Sequence, residues 1–258
     1  MRNHWSTPLV IGATLALVGC GDGAGPAGTA RVGLALTTRQ AGAPAQLAGT
    51  PETFTDGTNT LVLSSVELVL REVELKRVEA AECGGSGEDD DACEEFETGP
   101  ILFDVPLGGG TDRMLTASIP AGTYDAVEFE IHKPEDDGDA ADQAFVAAHP
   151  DFARISIRVT GTFNGTDFTY TSDLNAEQEL ALEPPLTVTE GSAATLTVRI
   201  DLGGWFADGA TLVDPRTANA GGPNENLVRD NIIGSFTGFR DDDVDGLDDD
   251  HEDSDGGH

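Results

Sequence analysis

Apolar residues recur at every second position through most of the chain, the period of a strand with one buried face. Ala30 to Thr37 places Val32, Leu34 and Leu36 on one side and predicts a first strand. Residues 38 to 60, rich in Ala, Gly, Pro and Thr without a period, read as an irregular connection. Thr60 to Val78 is ambiguous, because Val66, Val69, Leu70 and Val73 also match a helical spacing. A strand with Val66, Leu68 and Leu70 on one face is favoured, with a β-bulge near Arg71 and Glu72 that returns Val73 and Leu75 inward. A strand from Phe96 to Val105 follows.

Arg113 to Ile119 and Tyr124 to His132 flank Pro120-Ala121-Gly122-Thr123, where a fixed φ beside a permissive one predicts a tight hairpin. Val127, Phe129 and Ile131 face inward there, and Glu128 and Glu130 face water. Further strands are read at Ile155, Ile157 and Val159, at an Asn164-Gly165 hairpin, at Leu180 to Val188 and at Leu196 to Leu202. Eight or more short strands separated by turn signals predict an all-β fold. It is an antiparallel β-sandwich of Greek-key, immunoglobulin-like or transthyretin-like form over residues 30–202.

Alternation stops after Leu202. Residues 203–240 are expected to form a C-terminal flap with a short helix through Val228, Ile232 and Ile233. Its aromatic residues Trp205, Phe206 and Phe236 either close an open end of the sandwich or form a ligand platform.

Charge narrows the function classes. Fourteen Lys and Arg stand against 47 Asp and Glu, a formal charge of −33, so the broad basic face that nucleic acid requires is excluded. The acids are concentrated: residues 82–97 carry eight, 134–142 carry five and 241–258 carry ten. These stretches read as solvated loops and a disordered acidic tail kept extended by like-charge repulsion. Such a surface repels anionic lipid and polysaccharide and attracts divalent cations.

Residues 1–19 read as an export signal, with Arg2 ahead of a ten-residue apolar run from Leu9 to Val18 that is too short to span a bilayer. The ending Leu17-Val18-Gly19-Cys20 resembles the bacterial lipobox, which implies cleavage before Cys20 and lipidation of its thiol. Several acyl chains together anchor stably where one is marginal. Residues 20–29 then form a flexible tether, and the absence of Asp directly after Cys20 points to the outer membrane. In that oxidising compartment Cys83 and Cys93 pair as a disulfide across an acidic loop. The rival, metal binding by the two thiols, lacks a neighbouring His or second Cys pair.

The lipobox, the strand Val66-Glu67-Leu68-Val69-Leu70, and Ile119 to Tyr124 leading into Val127-Glu128-Phe129-Glu130-Ile131 together resemble bacterial lipoproteins carrying domain of unknown function 4382. The same turn grammar is similar to that of carboxypeptidase-regulatory-like modules. These resemblances imply a cell-envelope β-sandwich and supply no catalytic residues.

Asp241 to Glu252 matches a calcium-loop pattern at every specified position. The spacing offers Asp241, Asp243 and Asp245, the Leu247 carbonyl, Asp249 directly or through water, and a bidentate Glu252, with Gly246 at the sharp turn. It resembles the Asp-rich repeats of thrombospondin type 3. The alternative is an unstructured polyanion, and His251 and His258 would make only a nonspecific chelator of transition metals. For catalysis the folded body offers His132 and His149 without a partner motif, so His132 reads as a strand-end residue and His149 as part of a turn. Two functions follow: a noncatalytic, lipid-anchored envelope sandwich with a structural or ligand-binding role and a calcium loop, its protein or glycan partner open, or an envelope hydrolase or accessory module with an unrecognised site. A pocket joining His132 or His149 to buried carboxylates would favour the second.

Overall fold

In a computed structural model, residues 28–40, 49–78, 99–136 and 138–252 are described, with the side chains of His251 and Glu252 excepted. Cys20, Cys83 and Cys93, and with them the expected lipidation and disulfide, lie outside the described residues. The chain runs β1 (Thr29–Thr37), β2 (Glu52–Thr55), β3 (Thr60–Arg77), β4 (Ile101–Asp104), β5 (Thr111–Pro120), β6 (Gly122–Ile131) and the helix α1 (Ala140–Ala148). It continues through β7 (Ile157–Phe163), β8 (Thr166–Ser172), β9 (Ala176–Val188), β10 (Ala193–Ile200), β11 (Ala207–Asp208), β12 (Thr211–Leu212), α2 (Glu225–Ile233), β13 (Phe236–Arg240) and the single turn α3 (Asp249–Glu252).

Two sheets pack face to face, one ordered β13-β10-β1-β5 and the other built on the path β8-β7-β3-β6-β9, with β2 and β4 also paired to β3. The core forms where their alternating apolar residues meet: Val32, Leu34 and Leu36 with Leu196, Val198 and Ile200 from the first sheet, and Val66, Leu68, Val127, Phe129 and Ile131 from the second. Strand β3 is the seam. Its first half pairs with β7 and its second with β6, and the register slips between Arg71 and Glu74. Glu72 sits there at φ 53, the expected bulge, and Val73 and Leu75 return to the core.

The architecture is the expected β-sandwich, with differences of detail. Strands β1 and β10 run parallel rather than antiparallel. Strands β5 and β6 do not form a hairpin: β5 pairs with β1, whereas β6 pairs with β3 and β9, so the Pro120 turn carries the chain from one sheet to the other. Alternation shows which side chains point inward but not which strand lies alongside. Residues 52–55, inside the expected irregular connection, pair with β3. Ile155 lies just outside β7 and packs under α1.

Helix α1 occupies a stretch whose acids read as solvated. Asp139 caps it, accepting from the Ala141 and Asp142 amides, so one of those acids serves helix geometry. Val69, on the outer face of β3, packs with Phe145 and Phe152 beneath the helix.

The aromatic residues of the C-terminal flap close the sandwich and belong to its core rather than standing open as a platform. Trp205 and Phe206 have no exposed surface. Phe206 meets Tyr170 edge-on at 5.2 Å, and Phe236 meets Phe129 at 5.4 Å. Helix α2 buries Val228 and Ile232 as its spacing requires, and β13 adds a strand beside β10 that the flap reading did not contain. Among the described residues no helix is long and apolar enough to cross a membrane. Phe206→Ala is expected to lower unfolding free energy in urea by about 3–5 kcal/mol, whereas Ile233→Ala, on the solvent side of α2, is expected to change it by about 0.5 kcal/mol or less.

Candidate metal centre

The segment expected to be disordered from Asp241 onward is folded through residue 252, because its first carboxylate is buried against a sheet. Strand β13 ends at Arg240, and the next amide, of Asp241, still donates to the Thr195 carbonyl of β10. The chain then crosses the outer face of the four-stranded sheet. Thr37 and Thr197 point away from the core there, yet both are fully buried.

Asp241 is the anchor of this crossing. Its Oδ2 accepts from Thr197 Oγ1 at 2.8 Å and from the Gly246 amide at 2.9 Å, and its Oδ1 accepts from the Asp245 amide at 3.0 Å. Burial pushes the Asp241 carboxyl above its ordinary pKa, and these hydrogen bonds only partly oppose it. Gly246 makes the turn possible: its φ is +84°, and a Cβ there would stand 2.5 Å from Thr111 Oγ1 and 2.7 Å from Thr37 Oγ1.

After Gly246 the chain doubles back, and Asp249 Oδ2 accepts from the Asp242 amide at 2.7 Å. This closure brings one carboxylate oxygen each of Asp241, Asp243 and Asp249 within 4.8 Å of one another. The three carboxylates, one buried, one exposed and one half-buried, form a cluster that can hold a metal ion. None of the three has an ion-pair partner among the described residues.

Not every expected ligand joins them. Asp245 turns away: its Oδ2 pairs with Arg39 Nη1 at 3.0 Å and its Oδ1 accepts from the Leu247 amide at 2.8 Å. Leu247 is half-buried beside it. The Glu252 side chain lies outside the described ones. The residues that hold the loop down were not legible locally. Arg39 donates to the Asp245 carbonyl at 2.6 Å across 206 positions. Arg199 donates to the carbonyls of Arg39 and Gly246 and stacks on Phe239 at 4.4 Å. Its burial lowers the guanidinium pKa, partly offset by Asp248 and Asp241.

The two histidines fare differently. His132 is buried between carboxylates, its Nε2 2.7 Å from Asp142 Oδ1 and its Nδ1 3.2 Å from Glu130 Oε2. Asp142 is itself buried and accepts from the Glu135 amide at 3.0 Å. This ties α1 to the end of β6 and engages both ring nitrogens inside the fold. His149 caps the end of α1 and packs on Phe145 at 4.8 Å.

No family model matches the sequence, and no curated protein matches it. Among solved structures the chain is similar to MbnP from Methylosinus trichosporium, at 13% identity over 69% of this chain and 77% of that one, with a TM-score of 0.33. A likeness of that size assigns no function.

Gly246→Ala is expected to lower stability by about 1–3 kcal/mol and to speed amide exchange over 241–248 before the core strands exchange. Acid unfolding gives a second check. Asp173 is lowered by its hydrogen bond from Arg229, so its contribution is present above the unfolded carboxylate pKa of about 3.9 and lost as pH falls through its lower folded value. Asp241 has the opposite sign, since its raised pKa makes ionisation unfavourable to the fold as pH rises. Asp173→Asn is therefore expected to cost about 0.5 kcal/mol or less at pH 7 and nothing once the medium is acid enough to protonate both states, as read from thermal unfolding across pH.

Proposed function

We propose that the chain is a noncatalytic, lipid-anchored sandwich protein of the bacterial cell envelope, held at the outer membrane through Cys20, with calcium bound in its C-terminal Asp loop. The observation that carries the metal reading is the convergence of Asp241, Asp243 and Asp249 on one point of a loop fixed to the sheet. The donors are all hard oxygens, which suits calcium or magnesium and not the softer transition metals.

The two ions differ in span. Oxygens on opposite sides of calcium stand about 4.6–5.2 Å apart, and around magnesium about 4.0–4.2 Å. The three oxygens lie within 4.8 Å of one another, a bound compatible with the calcium span. Three carboxylates leave coordination places for water and backbone carbonyls, so affinity belongs to the weak extracellular class, about 10⁻⁴ to 10⁻³ M. The cation also relieves the unfavourable ionisation of buried Asp241, so binding tightens the loop.

Calorimetric titration of the whole protein with calcium chloride is expected to give a dissociation constant in that range, with little heat from magnesium. Asp243→Asn and Asp249→Asn, whose side chains reach solvent, are expected to weaken binding at least tenfold while leaving the melting temperature of the calcium-free protein unchanged. Equal heats from wild type and both variants would overturn the site. For the anchor, the mature protein is expected to begin at a lipid-modified Cys20, and Cys20→Ala to leave the membrane fraction. A mature chain with an unmodified or different first residue would overturn it.

A further inference from the structure

The strong negative charge predicts repulsion from anionic lipid, but on the outer face of the four-stranded sheet the half beside the Asp loop carries two arginines and a single acid. Thirteen Lys and Arg lie among the described residues. Eleven of them make a hydrogen bond or ion pair within the protein. Arg31 and Arg113 are both exposed and have no side-chain partner among the described residues. They stand on the outer face of the four-stranded sheet, Arg31 two residues into β1 and Arg113 beside Ala35 on β5.

An open groove of about 430 Å³ lies between them. Its floor is small: Gly33, Thr116, Ala194 and Thr195. The one acid lining it, Asp242, is already satisfied by the Thr195 amide at 3.0 Å and by the Arg240 guanidinium. The groove thus presents two uncompensated guanidiniums in a chain of charge −33, and the guanidinium fork is matched to phosphate oxygens.

We propose that this face lies on the bilayer, with Arg31 and Arg113 seated on lipid phosphates. The inference rests on the Cys20 anchor proposed above. Eight residues separate Cys20 from Thr29, nine steps that span about 30 Å at full extension. Arg31 follows two residues later, about 7 Å along the strand. A docking surface on so short a leash meets headgroups at a high effective concentration, so contacts too weak to recruit a free protein suffice to orient a tethered one. The acids about α1 belong to the outer face of the opposite sheet, where Val69 packs against Phe145 and Phe152, and this orientation turns them away from the headgroups, whereas the Asp loop stays on the docking face and must be paired or cation-bound there. A second copy of the chain is the poorer occupant, because two bodies of like charge would have to be brought together.

The test is arginine modification by phenylglyoxal on the full lipidated protein in vesicles of phosphatidylethanolamine and phosphatidylglycerol, read residue by residue by mass spectrometry. The reference is the Cys20→Ala protein in solution, alone and with inorganic phosphate. Arg31 and Arg113 are expected to react at least fivefold more slowly on vesicles, while Arg154, 55% exposed in its side chain near α1, keeps its rate. Unchanged rates at Arg31 and Arg113 in a protein that still sediments with vesicles would overturn the docking face and leave the anchor standing. Protection of equal size from inorganic phosphate alone would overturn the bilayer as occupant. A protein that does not sediment with vesicles removes the anchor and the docking face with it.

Discussion

A carboxylate without solvent contact, that of Asp241, decides the shape of the C-terminal third of the outer sheet face. An ionised carboxylate in that position is tolerable only when its lone pairs are met. Three donors meet them, from Thr197, Asp245 and Gly246. Those three bonds fix a turn that Gly246 alone can make, and the turn returns Asp249 to Asp241 and Asp243. The metal-competent cluster is therefore a consequence of how one buried charge is satisfied, and not of a run of acids meeting by chance.

The same accounting explains why the segment is folded despite its charge. Asp242 is neutralised by Arg240, and Asp245 by Arg39. Arg199 ties the turn to the sheet through two carbonyls while its own burial is compensated by the ring of Phe239 and the nearby carboxylates. The residual charge is left on Asp243 and Asp249, the two that face the cluster with the most access to water. Local repulsion and long-range pairing thus act on the same residues, and pairing prevails wherever an arginine is within reach.

Much of this fold was legible from alternation alone. Val32, Leu34 and Leu36, or Val127, Phe129 and Ile131, can be placed inward because a strand has only two faces. The bulge at Glu72 was legible for the same reason, as a break in period. Pairing was legible at the Asn164-Gly165 hairpin of β7 and β8 but not elsewhere, because the parallel partnership of β1 with β10 and the crossing of the Pro120 turn depend on packing across the core. The site shows the same division. Asp241, Asp243 and Asp249 follow from spacing. The diversion of Asp245 to Arg39 does not, since its partner lies at the other end of the sequence. Helix α1 was hidden because Asp139 and Asp142 look like solvated acids until the cap and His132 are placed beside them.

Both proposed interactions use one surface, and electrostatics couples them. The Asp loop covers the half of the outer face near Thr37 and Thr111, and the Arg31 to Arg113 groove occupies the half nearer the tether, with Asp242 at their boundary. Carboxylates left uncompensated on the loop oppose the attraction of the proposed groove for phosphate, by an amount that falls as salt rises. A cation in the cluster removes that opposition. The coupling is reciprocal, so a phosphate-bearing surface drawn to the arginines in turn favours a neutralised loop. On the two proposals together, a loop of low intrinsic affinity gains from a neighbouring phosphate-bearing surface what its three carboxylates alone do not provide.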